Sequence, residues 1–181
     1  MENRLQLSKY GSQLWTRVMA AEPRKELNEL LDGSGPGGVV VVDLNGVEAF
    51  DFSFANEFFG KTVLSLPKEH PERFLVVENL TEYIRENLEE TMEGLKTAVL
   101  ERKGRELVLL GKIHPAYQET FRLISGTQES VTAGEVSEKM QINVTAANER
   151  LAKLAGMGLI RREKGTSESG RELFLYSTVR G

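Results

Sequence analysis

Thr145, Asn148 and Lys153 share one side of a stretch with helical periodicity, Arg150 lies at its flank, and Arg161, Arg162, Lys164 and Arg171 follow close behind. Hydroxyl and amide groups at helical spacing can hydrogen-bond base edges. Guanidinium and ammonium groups can neutralise backbone phosphates. These eight residues form the one constellation in the 181-residue chain whose local chemistry selects a class of partner, duplex DNA.

The surrounding sequence supplies elements able to hold them. Tyr117, Phe121, Leu123 and Ile124 are apolar at helical spacing and stop at Gly126. Thr132 and Glu135 have the Thr-x-x-Glu spacing of a capping box, in which hydroxyl and carboxylate each satisfy a backbone donor at a helix start. Val136 and Met140 follow one turn apart, Gln141, Ile142 and Asn143 are short enough to be a turn, and Asn143 suits an N-cap. Val144, Ala147, Leu151 and Leu154 then predict the buried face of a third helix, with Thr145, Ala146, Asn148, Glu149 and Lys153 on its other face. After Gly156 and Gly158, a strand is predicted from Leu159 to Lys164, a polar loop over residues 165–170, and a returning strand in which Leu173, Leu175 and Ser177 alternate with Phe174, Tyr176 and Thr178. The order is that of a helix-turn-helix with a hairpin wing, and the layout from Leu151 through Gly158, Leu159, Ile160 and Arg161 to Arg162 resembles regulators of the MarR and ArsR type. The resemblance implies a winged helix of α+β class over residues 114–181.

Charge tempers that implication. Lys and Arg number 23 against 27 Asp and Glu, a net of −4, whereas residues 115–181 hold 9 basic against 8 acidic residues. A domain that draws affinity from phosphate neutralisation has little net charge to do it with, so a winged helix that binds protein stays open beside one that binds DNA; a homodimer would double the field. The first 114 residues, at −5, are poorly suited to nucleic acid.

Residues 1–113 alternate between two periods. A short strand is predicted over residues 4–8, helical turns around Leu14, Trp15, Val18 and Met19, and a helix restarting at Pro23 and ending in the glycine-rich residues 32–38. Val39, Val40, Val41 and Val42 mark a strand covered on both faces. A helix from Ser53 carries Phe54, Ala55, Phe58, Phe59, Val63 and Leu66 and ends at Pro67 and Pro71; Phe74 to Val77 is a second strand. Thr81 opens a long helix on which Ile84, Leu88, Met92, Leu95 and Val99 line one face until Gly104, and Leu107 to Leu110 is a third strand. This order predicts an α/β domain with right-handed crossovers and a mostly parallel sheet.

The segments Val41-Val42-Asp43-Leu44-Asn45-Gly46-Val47, Phe50-Asp51-Phe52-Ser53-Phe54-Ala55-Asn56-Glu57-Phe58-Phe59-Gly60 and Val76-Val77-Glu78-Asn79 resemble STAS-like domains, relatives of the anti-sigma-factor antagonists. In those antagonists a partner kinase phosphorylates a serine at the start of the helix after the strand. The resemblance lays Asp51 over the motif's aspartate and Ser53 over that serine, while Phe52 and Phe54 replace its other serine and its glycine. It implies a regulatory protein partner of the kinase or ATPase type. A phosphate there would face a helix N-terminus, and the plainer role for Asp51 or Ser53 is the N-cap.

Other chemistry is not indicated. His70 and His114 each precede a proline and lack a partner at metal-ligand spacing. The glycines at 33–38 precede a strand instead of following one, Gly94 to Thr97 sits within the predicted long helix, and Pro67 interrupts the letters Ser65-x-x-Lys68. Glu89, Glu90 and Glu93 read as a solvated helix face. Cysteine is absent, which excludes thiol chemistry and zinc-thiolate sites. No apolar run reaches a membrane span of about 20 residues, and the start has no signal-peptide pattern. The expectation is a cytoplasmic, non-enzymatic transcriptional regulator without cofactor or metal: a STAS-like α/β module of residues 1–113 joined through His114 and Pro115, almost without linker, to a DNA-binding winged helix of residues 114–181. The alternative is a protein-interaction switch of the anti-sigma-antagonist type.

Overall fold

A computed structural model describes residues 2–180, so Met1 and Gly181, the outer limits of the two expected domains, lie outside the described residues. The chain divides into two compact units, one ending at Ile113 and one spanning His114–Arg180.

The first unit is α/β. Strands β1 (Glu2–Gln6), β3 (Val39–Asp43), β5 (Phe74–Glu78), β6 (Ala98–Lys103) and β7 (Glu106–Gly111) form one sheet in the order β1-β3-β5-β6-β7. The first four are parallel and β7 runs antiparallel to β6. A separate pair joins β2 (Gln13–Leu14) to β4 (Ala49–Phe50). Connections are α1 (Thr16–Ser34), the continuous run of α2 (Phe52–Ala55), a π turn (Asn56–Gly60) and α3 (Lys61–Glu69), and α4 (Glu82–Gly94). Each crossover steps to the next strand in the same direction, so right-handed connections carry every helix to one face. Accordingly Val40, Val42, Leu75, Val77, Val99 and Leu110 share a single core with Leu27, Leu31, Phe54, Phe58, Ile84 and Leu88 from the helices.

The π turn follows from the sequence. Phe54, Phe58, Thr62 and Leu66 repeat every four residues and are all buried, as are Ala55, Phe59 and Val63. On a straight α-helix such a stripe drifts by about 40° per step, and one wider turn returns it to the core. Phe58 and Phe59 then pack edge to face at 4.6 Å, with Phe50 and Phe54 within 6 Å of them in a four-ring cluster.

Three expectations are corrected. Residues 16–34 form one helix with Pro23 inside it and buried, so the ring's packing compensates for the missing bond to the carbonyl four residues back. The helix from Thr81 stops at Gly94 and not at Gly104; Lys96 turns at φ 54°, and Val99 belongs to β6. Gly94 to Thr97 is therefore a helix end and turn. Gly104, at φ 60°, instead closes the β6–β7 hairpin, and glycine at the first position of a two-residue turn meets that need without strain. The third expected strand, β7, is thus an antiparallel addition and not a crossover product.

One buried charge sits in the core face. Glu101 on β6 is 1% exposed and receives Arg85 of α4, whose Nε lies 2.9 and 3.1 Å from its two oxygens and whose Nη2 lies 2.6 Å from one. The bond to Glu101 raises the Arg85 pKa against the opposing pull of burial. On the opposite face, Arg4 bridges Glu2, Asp43 and Glu78, and Arg102 bridges Glu78 and Glu2.

The second unit contains α5 (Pro115–Ser125), α6 (Ala133–Met140), α7 (Val144–Gly156) and an antiparallel hairpin of β8 (Arg161–Thr166) and β9 (Glu172–Ser177). Phe121, Ile124, Val136, Ala147, Leu151, Leu154, Leu159, Ile160 and Tyr176 are buried. Val131 exchanges both backbone hydrogen bonds with Tyr176 at 2.8 Å, which ties the segment before α6 to the hairpin.

Candidate nucleic-acid interface

Local chemistry fixes the α6–α7 corner. The Thr132 hydroxyl accepts from the Glu135 N–H at 3.2 Å while the Glu135 carboxylate accepts from the Thr132 N–H at 2.7 Å, completing the capping box. The Thr132 N–H, and to a lesser extent the Thr132 hydroxyl 3.0 Å from the same carboxylate, hold the Glu135 carboxyl below its ordinary pKa against the opposing effect of burial. Gln141 turns in the left-handed region at φ 55°. Ser137 Oγ donates to the Ile142 carbonyl at 2.6 Å, and Asn143 Oδ1 accepts from the Ala146 N–H at 2.8 Å to start α7.

Ala147, Leu151 and Leu154 anchor α7, each fully buried. At about 100° per residue, Thr145, Asn148, Glu149 and Ala152 then share the opposite arc, and all four are exposed. Lys153 is exposed at the margin of that arc and Arg150 is half-buried nearer the core side. Val144, expected on the buried face, is 51% exposed. As the first residue of α7 it lies at the edge of the buried stripe, ahead of the turn that packs.

The hairpin separates residues that the sequence presents as one basic cluster. Side chains alternate across a strand, and the register sets Arg162 opposite Tyr176 and Lys164 opposite Phe174, with Arg161 and Glu163 on the other face. The Arg161 guanidinium donates to the Arg180 carbonyl at 3.0 Å, and burial pushes its pKa down, with Glu163 acting the other way. Arg162 stacks on the exposed Phe174 ring, its guanidinium carbon 3.9 Å from the centroid. Lys164 and Arg171 are exposed, and the Arg171 N–H donates to Ser167 Oγ at 3.1 Å to close the tip. Sequence reasoning missed Val144 and Phe174; the alternation of β9 was legible, but the cross-strand pairing that gives Phe174 its cation was not.

The other candidate position lies in the first unit. Asp51 is the N-cap of α2: its carboxylate accepts from the Phe54 N–H at 2.7 Å and also from the Thr16 N–H, 3.2 Å from both oxygens. Thr16 opens α1 at φ 70°, a costly conformation for a β-branched residue. One carboxylate therefore fixes the starts of two helices. Ser53 is the second helical residue, half-buried, and leaves the cap to Asp51. Next to these positions in sequence, Trp15, Val18, Met19 and Phe52 are 40, 83, 38 and 57% exposed. Asp51→Ala is expected to cost about 2 kcal/mol in urea denaturation, whereas Asp51→Asn, which keeps an acceptor, stays within about 0.5 kcal/mol of the parent.

Among the described residues no group of three or more His, Asp and Glu is placed to hold a metal ion, and no helix is long and apolar enough to cross a membrane. No protein-family model matches the chain, and no curated protein matches it. Among solved structures, a possible transcriptional regulator from Methanosarcina mazei Go1 is similar over 36% of this chain at 12% identity and a TM-score of 0.34, and the chain spans 56% of that protein's length.

Proposed function

We propose that the chain is a non-enzymatic transcriptional regulator in which residues 114–180 are a winged helix that binds duplex DNA and residues 2–113 are a STAS-like module that receives a signal. The observation that carries this reading is the rigidly capped α7 with Thr145 and Asn148 on its free arc, followed by a hairpin presenting Arg162 and Lys164 on one face. In this reading α7 enters the major groove, where Asn148 and Thr145 hydrogen-bond base edges and the exposed Val144 can meet a thymine methyl group. Lys153, Arg162, Lys164 and Arg171 contact phosphates, with Arg162 preorganised by Phe174. Arg161, tied back to Arg180, serves the wing's geometry.

A second reading rests on the exposed Trp15, Val18, Met19 and Phe52 beside the Asp51 cap: a protein partner docks there, and the winged helix, at one net positive charge, also binds protein.

Titrating the full chain with mixed-sequence duplex DNA over a range of salt separates the two. On the DNA reading, log affinity falls linearly with log salt. Lys153→Ala and Arg162→Ala each lower the slope by about one, with stability changed by less than about 0.5 kcal/mol for Lys153→Ala and by about 0.5–1 kcal/mol for Arg162→Ala, which loses the Phe174 stack. Affinity that is absent at low salt, or indifferent to salt, leaves the protein-binding reading.

A further inference from the structure

The free arc of α7 carries a negative charge that the residues around it leave idle. At about 100° per residue, its exposed positions run from Val144 at one margin through Asn148, Ala152, Thr145 and Glu149 to Lys153 at the other. Glu149 therefore lies inside the arc. The short side chains of Ala152 and Thr145 lie next to it, so a surface that approaches this side of the helix comes within reach of the longer Glu149 side chain.

Three ordinary uses of a helical glutamate do not apply to Glu149. Asn143 already caps the start of α7, and Glu149 lies beyond the first turn, where the helix dipole favours an acid. Lys153 follows at the spacing at which Glu and Lys stabilise a helix, yet among the described residues Glu149 enters no ion pair with it. Being exposed, Glu149 adds nothing to the core. Facing a polyanion, such a carboxylate is unfavourable unless it meets a hydrogen-bond donor. The major groove offers few. Guanine presents the acceptors N7 and O6, thymine presents O4 and a methyl group, and adenine sets its N7 acceptor beside its amino group; cytosine presents a 4-amino group with no acceptor next to it on the same base.

We propose that Glu149 sets the base at one position of the bound duplex by accepting a hydrogen bond from the 4-amino group of a cytosine in the major groove. The inference rests on the DNA-binding reading and gives the acid on the reading face a role within it. Asn148, the preceding residue on the same arc, suits the paired donor and acceptor of an adenine, so the two side chains read neighbouring base pairs. Glu149 acts chiefly by exclusion. Its carboxylate repels guanine, thymine and phosphate alike, and at cytosine the hydrogen bond offsets that repulsion, so discrimination is gained at the expense of general affinity.

The test equilibrates the full chain with duplexes that contain a randomised central stretch and sequences those retained. Fluorescence anisotropy at fixed salt then reads affinity for the selected duplex, its single-pair variants and unselected duplex, with circular dichroism to verify folding. An enriched C·G pair is expected at one position, and changing it to T·A weakens binding by the parent about tenfold. Glu149→Ala binds those two duplexes within about twofold of each other and binds unselected duplex about threefold more tightly than the parent, because a carboxylate has left the face that meets phosphate. Glu149→Gln, whose amide can bond N6 and N7 of adenine, moves the preference at that position from cytosine to adenine, which loss of a merely structural glutamate would not do. A parent without salt-dependent binding overturns the DNA-binding reading and this inference with it. Salt-dependent binding with no cytosine enriched, or a Glu149→Ala variant that still prefers C·G to T·A, overturns this inference alone.

Discussion

Gly111→Ala is expected to lose about 3–5 kcal/mol of stability, enough to unfold a large share of molecules whose total margin is about 5–15 kcal/mol. Two independent costs meet at this residue. Its φ is +119°, where a side chain strains the backbone, and an added Cβ would lie 2.4 Å from the Thr97 carbonyl oxygen and 2.6 Å from Met92 Cβ. The first contact is with backbone and the second with the root of a core side chain, so neither can swing away as a flexible chain end would. Gly104→Ala is the control: its φ is +60°, and nothing lies within 4 Å of the added carbon, so only the conformational cost of about 1 kcal/mol applies. Urea denaturation followed by circular dichroism reads both. Equal losses for the two variants would mean that the close packing of the β7 end against the α4–β6 turn is wrong.

Arg85→Ala is expected to cost about 3 kcal/mol through what it leaves behind. Glu101 would remain buried at 1% exposure without the guanidinium that satisfies both its oxygens, and among the described residues Lys103, 3.6 Å away, would be left to offset its charge. The loss is not the worth of the ion pair. Replacing both partners by leucine removes the stranded charge, and that double variant is expected to recover most of the deficit. Thermal unfolding of the parent, the single and the double variant measures the difference, and a double variant as unstable as Arg85→Ala would show that Arg85 acts by packing alone.

What was legible in the sequence was what is decided by neighbours in the chain. Thr132 with Glu135, and Asn143 with its own helix start, specify caps over three residues, and the four consecutive valines at 39–42 specify a strand buried on both sides. What was not legible depends on partners distant in sequence or on coincidences of period. Met92, Leu95 and Val99 keep helical spacing across a real helix end, so the extra strand β6 was hidden inside an apparently continuous stripe. Asp51 was readable as a cap, but its hold on Thr16 spans 35 residues. For the candidate interface, residue types and the free arc of α7 could be read, while the division of Arg161 from Arg162 and the Phe174 stack required the hairpin register.

The order of strands across the main sheet is also their order along the chain. As the polypeptide leaves the ribosome, each new strand meets an edge that its predecessor has just completed, and no later segment has to be inserted between strands already paired. The sheet can therefore grow in the direction of synthesis, with loop closures spanning one connection at a time. Assembly ends when β7 folds back over Gly104, so the first unit can be complete before most of the helices and hairpin that follow it have been made.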